Sequence, residues 1–183
     1  MDELPYTPFY CEENIWHLAG HRSLAKLERR VVLMTNRARS CLLMNQRAAA
    51  PGRPVFWDYH VILVAAEATA PRWRVFDLDT RLGLGVDLEA YVEQTFPRDL
   101  PPELRATLRV LNADDFTARF SSDRAHMRTG DGGWVAPPPE WPPIAPETVD
   151  PGWTLAALLD LSRPSPGEEV APEGLAGALG HRR

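Results

Sequence analysis

Residues 55–80 constrain the fold of this chain more than any other stretch. They contain two runs rich in β-branched and aromatic residues, Val-Phe-Trp-Asp-Tyr-His-Val-Ile-Leu-Val and Arg-Trp-Arg-Val-Phe-Asp-Leu-Asp-Thr. The short segment between the runs carries small residues and Pro71. This pattern predicts two antiparallel strands joined by a loop.

The predicted hairpin brings a histidine close to a carboxylate. Side chains alternate across a strand, and residues opposite or diagonal to each other on two strands can touch. A loop centred between Ala68 and Thr69 places His60 opposite Asp77, whereas a loop centred one position later pairs His60 with Asp79. Periodicity leaves the choice between the two aspartates open.

A histidine–aspartate pair needs a third member to do chemistry, and Cys11 is the candidate. Residues 11–22 have the apolar spacing of a helix, with Glu12 and Glu13 in its first turn. A cysteine at a helix N-terminus is favoured as a thiolate, but the two glutamates oppose that charge. The alternative interpretation is that Cys11 is a small buried apolar residue of the core.

A second polar cluster lies at residues 120–127, where His126 and Asp123 form another candidate acid–base pair. The alternative is a structured loop whose side chains hydrogen-bond to the backbone. The proline-rich residues that follow, 135–146, predict a stiff, extended segment that wraps over the core.

Composition is that of an ordinary globular protein: 183 residues, of which 44% are hydrophobic and 25% charged. We expect one catalytic domain at residues 1–162 and a mobile tail, rich in Pro, Gly, Glu and Ala, at residues 163–183. The net charge of −5 argues against a nucleic-acid surface. We expect a monomer.

Nothing in the sequence predicts a membrane or secretory location. No apolar run reaches the ~20 residues needed to span a bilayer. The acidic Met-Asp-Glu-Leu-Pro start lacks the features of a signal peptide. We therefore expect a cytoplasmic protein in which Cys11 and Cys41 are free thiols. The cysteines and histidines show no zinc-ligand spacing.

Four short blocks resemble one known family in order and spacing. They are Tyr-Cys-Glu-Glu-Asn-Ile-Trp (10–16), Trp-Asp-Tyr-His-Val (57–61), Asp-Leu-Asp-Thr (77–80) and Ser-Asp-Arg-Ala-His-Met (122–127). Together they closely resemble the protein N-terminal glutamine amidohydrolase family, over about residues 10–144. The chain departs from the family at residues 135–136, where Val-Ala replaces a more polar pair, and is poorly matched towards the C-terminus.

The resemblance implies an α+β fold and a catalytic triad. The fold would be a single domain with α-β-α layers around a mainly antiparallel sheet and a papain/transglutaminase-like core. By motif position Cys11 is the nucleophile, His60 the acid–base residue and Asp77 the orienting carboxylate, which settles the choice between the aspartates. We expect no metal or organic cofactor.

The resemblance also implies a reaction. Such enzymes hydrolyse the side-chain amide of an N-terminal glutamine in proteins or peptides, leaving N-terminal glutamate and ammonia. Eukaryotic members feed an N-degron degradation pathway. Two rival interpretations are a cysteine peptidase or internal-glutamine deamidase with the same triad, and a non-catalytic binding module.

Restriction to an N-terminal residue requires an acceptor for the substrate's α-ammonium. A buried carboxylate would exclude internal glutamines, whose neutral nitrogen could not compensate for its desolvation. The candidate carboxylates are Glu12, Glu13, Asp58 and Asp123. The same motif blocks supply three further candidates for substrate contact, Tyr10, Trp57 and Ser122.

Overall fold

An antiparallel sheet of six strands forms the centre of the computed structural model, which describes residues 4–180. The strands within these residues are β1 (Glu28–Thr35), β2 (Cys41–Leu43), β3 (Val55–Trp57), β4 (Tyr59–Glu67), β5 (Ala70–Phe76), β6 (Val86–Asp87), β7 (Thr107–Asn112) and β8 (Glu168–Val170). The large sheet has the order β6-β5-β4-β1-β7-β8, and β2 pairs with β3 separately.

The α-helices of the described residues are short and lie along the sheet. They are α1 (Cys11–Ala19), α2 (Leu88–Thr95), α3 (Ala113–Arg119), α4 (Leu155–Leu158) and α5 (Leu175–Gly180). Single 3₁₀ turns occur between them, including one at Ala125–Met127. No helix within residues 4–180 is long and apolar enough to cross a membrane.

The two central strands are apolar on both faces because helices cover both faces. In β1 and β4 the paired residues Val32 and Ile62 are both fully buried. One apolar cluster joins alternate residues of these strands to α1, α3 and α4, and the other joins the intervening residues to α2 and α5. A strand buried on both sides has an almost continuous apolar run, as the sequence of β4 does. The predicted α+β fold with a mainly antiparallel sheet is therefore confirmed.

The predicted first strand of the hairpin is broken at Asp58. Its first part, β3, leaves the large sheet and pairs with β2, and only β4 continues beside β1. At the break the Asp58 carboxylate accepts a hydrogen bond from the backbone N–H of Tyr59, at 3.0 Å. This local bond between a side chain and the backbone lies where the chain changes direction.

The described part of the segment predicted to be a mobile tail, residues 163–180, contains a short strand and a helix that pack on the sheet. Strand β8 pairs with β7, and the α5 side chains Leu175 and Leu179 are almost fully buried in the second apolar cluster. Arg109 of β7 donates hydrogen bonds to the Leu158 and Pro166 carbonyls and to the Glu169 carboxylate. The segment covers the open edge of the sheet with one short strand and a few apolar residues, although its Pro and Gly content is typical of a mobile tail. Residues 181–183 of the predicted tail, like residues 1–3 of the predicted catalytic domain, lie outside the described residues.

Candidate active site

Helix α1 begins at Cys11, as the sequence predicts. The helix starts where the backbone N–H of Asn14 donates to the Tyr10 carbonyl, at 3.0 Å. The Asn14 side chain also makes two hydrogen bonds to the backbone of Thr7, at 2.8 and 2.9 Å, which hold the lead-in segment against the helix. The intervening Phe9 adopts a left-handed backbone conformation with φ 69°. Cys11 is therefore held firmly against β4, only 7% exposed.

The surroundings of Cys11 favour the neutral thiol. Burial, the Glu12 carboxylate and the more distant Asp79 raise the pKa of the Cys11 thiol well above its usual range. A hydrogen bond with the backbone N–H of Val61 acts in the opposite direction. The effect of the helix N-terminus is thus outweighed by desolvation and by the nearest carboxylate.

His60 and Asp77 form a buried pair. The distance between His60 Nε2 and Asp77 Oδ1 is 2.8 Å, and neither side chain is more than 2% exposed. Burial alone would lower the pKa of His60, but the Asp77 carboxylate outweighs it and raises that pKa. Because Nε2 is bonded to Asp77, Nδ1 is the imidazole nitrogen that can accept a proton from a thiol. Within residues 4–180 the structure records no hydrogen bond between Cys11 and His60; contacts of this kind often tighten only in the substrate complex.

A β-bulge explains why spacing alone could not choose between the aspartates. The loop end of the hairpin pairs Glu67 with Ala70, which agrees with the predicted loop centre. An irregularity between Ala65 and Glu67 then shifts the register, and extension of the shifted ladder would pair His60 with Asp79. Strand β5 ends before that point, and the His60 side chain bonds Asp77 diagonally instead.

Two residues that the sequence analysis missed hold Asp77 in place. Its Oδ2 accepts hydrogen bonds from the Gln46 side chain at 3.1 Å and from the Tyr91 hydroxyl at 2.8 Å. Its Oδ1 also accepts from the backbone N–H of Asp79, at 2.9 Å. Burial would raise the pKa of Asp77, but His60, Gln46 and this amide outweigh it and lower that pKa. Tyr91 lies on the apolar face of α2 and Gln46 in the connection between β2 and β3, so no local sequence signal could have identified them.

An aromatic layer covers the histidine. The Trp57 ring stacks on the His60 ring with centroids 5.9 Å apart and an interplanar angle of 12°, and Phe9 packs edge-on against Trp57 at 6.2 Å. On the same side of the site, the Tyr6 hydroxyl donates to Asp79 at 2.6 Å. Residues of the lead-in segment therefore form a wall beside the His60–Asp77 pair.

Glu12 is fully buried beside Cys11. Its Oε2 accepts a hydrogen bond from the Tyr59 hydroxyl at 2.8 Å and lies 3.9 Å from the Cys11 Sγ. Its Oε1 has no hydrogen-bond partner in the described structure, and the Nε2 of His126 lies 3.6 Å from it. Burial raises the pKa of Glu12 to about 7.

Glu13 is also buried but is fully paired. The Arg124 guanidinium makes two bonds of 2.7 Å to its two carboxylate oxygens, and the Trp141 indole N–H donates to Oε2 at 2.7 Å. The positive charge of Arg124 compensates for the negative charge of Glu13. This cluster joins α1 to the 120–127 loop and to the proline-rich segment.

The remaining predicted site residues lie around this centre. The Tyr10 hydroxyl donates to the Ala136 carbonyl, at 3.0 Å. The carboxylate of the exposed Asp123 accepts from the backbone N–H of Ala125, so it belongs to a structured loop and does not pair with His126. The second acid–base pair is therefore not formed. Ser122 is buried, and its hydroxyl has no hydrogen-bond partner in the part of the chain that the structure describes.

Several of these residues line a cavity of about 750 Å³ next to the Tyr59 side chain. Its walls include Asp58, Ser122, Asp123 and His126. The cavity lies on the side of Tyr59 and His126, both of which contact Glu12.

His60, Asp77 and Asp79 also offer ligand atoms within 4.8 Å of one another, a spacing that a metal ion could bridge. Each of the three side chains is already engaged by protein hydrogen bonds: His60 with Asp77, and Asp79 with Tyr6. The group fits a hydrogen-bonded histidine–aspartate pair better than a metal centre.

A cysteine that begins a helix, with a buried histidine–aspartate pair on the adjoining hairpin, is the residue set of the cysteine-dependent hydrolases. The comparisons with known proteins show the family to which the chain belongs. The family model described as N-terminal glutamine amidase matches residues 6–167. The chain belongs to that family, which is a family of enzymes.

Relatives at moderate identity carry the same description. A protein of Drosophila ananassae is 39% identical over 78% of this chain and 73% of its own length. A Bos taurus protein is 36% identical over 81% of this chain and 73% of its own length, and a Danio rerio protein 37% identical over 75% and 70%. All three are named protein N-terminal glutamine amidohydrolase.

Proposed function

We propose that this protein hydrolyses the side-chain amide of an N-terminal glutamine, releasing ammonia and leaving N-terminal glutamate, through a Cys11–His60–Asp77 triad. Membership of the family and the names of the relatives support the reaction. The observation that best supports the assignment of the triad is the buried 2.8 Å hydrogen bond between His60 and Asp77, beside a helix that begins at Cys11. This arrangement also supports a papain/transglutaminase-like core.

In the first half-reaction His60 Nδ1 takes the proton of the Cys11 thiol. The sulfur attacks the amide carbon, and the carbonyl oxygen becomes an oxyanion. When the C–N bond breaks, His60 returns the proton to the leaving nitrogen, so that ammonia departs and a thioester remains on Cys11.

In the second half-reaction His60 takes a proton from water, and the hydroxide attacks the thioester carbon. The C–S bond breaks, and Cys11 recovers its thiol proton from His60. The oxyanion of each step lies near the start of α1, where the backbone N–H of Cys11 has no partner within the helix and is available to donate.

Paired peptides test the reaction. We expect ammonia release from Gln-Ala-Gly and none from acetyl-Gln-Ala-Gly, with the small mass gain that an amide-to-acid change produces. Mass spectrometry of the products distinguishes the rival functions. Reaction of both peptides would indicate a general glutaminyl deamidase and cleavage a peptidase, whereas no reaction of either would contradict the proposal.

Asp77→Asn tests the positioning of the histidine. An asparagine can still bond to His60 but cannot offset the imidazolium charge, so we expect kcat to fall about 10²-fold or more. Because Asp77 raises the pKa of His60, the acid limb of the pH profile should move to lower pH in the variant. The measurement is kcat/KM for Gln-Ala-Gly between pH 5 and 9.

A lower kcat with an unmoved acid limb would contradict this role, since it would indicate structural damage only. Tyr91→Phe is the matched control, because it removes one hydrogen bond to Asp77 and leaves the carboxylate charge in place. Its acid limb should move much less than that of Asp77→Asn.

A further inference from the structure

One buried acidic residue beside the thiol, Glu12, has no role in the two half-reactions. Glu12 is 0% exposed, its Oε1 has no hydrogen-bond partner in the described structure, and it adjoins the thiol. A buried carboxylate oxygen without a donor costs free energy unless something binds to it. The Nε2 of His126 lies 3.6 Å from this oxygen, but burial lowers the pKa of the His126 imidazole, which disfavours the charge that would compensate the carboxylate.

We propose that Glu12 is the acceptor for the α-ammonium group of the substrate. This inference rests on the proposed function and names the residue that restricts it to N-terminal glutamine. The other candidate carboxylates are already engaged: Glu13 by Arg124, and Asp58 and Asp123 by backbone amides at the surface.

The distances suit a single glutamine residue. Its α-nitrogen lies four bonds from the amide carbon, on the order of 5 Å away when the side chain is extended. The amide carbon must come within about 3–3.5 Å of the Cys11 sulfur to react. The Glu12 carboxylate, with Oε2 3.9 Å from that sulfur, lies within reach of the other end of the same residue.

Glu12 also links recognition to the reactivity of the thiol. When Glu12 is ionised, above its own pKa of about 7, its negative charge is the largest electrostatic contribution that raises the pKa of Cys11. A bound ammonium neutralises this charge, so that the thiolate forms more readily when the correct substrate is present. An acetylated or internal glutamine brings no positive charge and leaves the buried carboxylate uncompensated.

Glu12→Gln separates this role from a structural one, because the proposal predicts two changes of opposite direction. We expect kcat/KM for Gln-Ala-Gly to fall about 10²-fold or more, and the preference over acetyl-Gln-Ala-Gly to be lost. The same variant should alkylate faster at Cys11 with iodoacetamide, since the charge that opposes the thiolate is gone. Retained turnover with retained preference would overturn the proposal.

Tyr59→Phe is the matched control. It removes the hydrogen bond to Oε2 but keeps the carboxylate, so the preference for the free amine should persist. Loss of that preference in Tyr59→Phe but not in Glu12→Gln would overturn the assignment to Glu12.

A measurement on the unmodified protein covers the case in which Glu12→Gln does not fold. Met-Ala-Gly has a side chain of similar length but no amide to hydrolyse, and we expect it to inhibit turnover at pH 8 at least ten-fold more strongly than acetyl-Met-Ala-Gly. Absence of this preference would overturn the proposal. If the wild-type protein does not act on Gln-Ala-Gly, the proposed function itself is overturned. If the wild type is active and Glu12→Gln has the same turnover and the same preference, only the present inference is overturned.

Discussion

Replacement of Cys11 by serine should abolish ammonia release from Gln-Ala-Gly, with a loss of about 10⁴-fold or more in kcat. A serine hydroxyl is a far weaker acid than a thiol. In a site where burial and Glu12 already raise the pKa of the nucleophile, it would stay protonated. The side chains differ by one atom, so the fold should be unaffected. Turnover and the thermal unfolding temperature of the variant are the two measurements.

Cys41 provides the matched control for this prediction. It is the other free cysteine of the chain, is fully buried, and packs in the apolar cluster on the opposite face of the sheet. Cys41→Ala should lower stability by about 1 kcal/mol through the small cavity that it leaves, and kcat should be unchanged. Substantial turnover by Cys11→Ser would contradict the nucleophile assignment and would direct attention to another group.

The two strands of the hairpin could be predicted because several independent local sequence signals indicate them. The apolar run of β4 and the β-branched run of β5 each predict a strand, and the short break between them predicts a hairpin. The exact register of β4 and β5 was not predictable, since it depends on one bulge near Ala66 that no residue pattern in the sequence indicates. The break at Asp58 likewise coincides with hydrogen bonds between side chains and the backbone that a strand pattern does not indicate.

The candidate site was predictable only in part. Motif resemblance was sufficient to select Cys11, His60 and Asp77, but it could not predict what surrounds them. Gln46 comes from the connection between β2 and β3 and Tyr91 from α2, so their meeting at Asp77 is a property of the tertiary structure alone.

Glu12 and Glu13 show most clearly that the sequence does not reveal the surroundings of a site residue. Two adjacent glutamates in a first helical turn both suit the helix dipole, so the sequence does not distinguish them. The structure buries both and gives them different surroundings: Glu13 is bonded to the Arg124 guanidinium, whereas Glu12 accepts from the neutral Tyr59 hydroxyl and Cys11 thiol. Such a difference between neighbours of identical chemistry can be recognised only when the loops that cover them are known.

The second large effect is expected from Arg124→Met, which should lower the free energy of unfolding by about 3–5 kcal/mol. The methionine fills a similar volume but strands the Glu13 carboxylate, which is fully buried and makes two of its bonds to Arg124. The guanidinium also donates to the Trp141 carbonyl at 2.8 Å, so the proline-rich segment loses an anchor as well. Urea denaturation at constant m-value is the measurement.

Two comparisons show whether the loss comes from the stranded charge. Arg163→Met removes an ion pair with Asp160 whose arginine is 75% exposed, and should cost less than about 1 kcal/mol. Adding Glu13→Gln to Arg124→Met should recover part of the stability, because the neutral amide can still accept from the Trp141 indole and carries no charge to desolvate. If the double variant were no more stable than Arg124→Met, the penalty would lie in lost packing and backbone contacts. The ion pair would then be dispensable for holding α1, and with it Cys11, against the 120–127 loop.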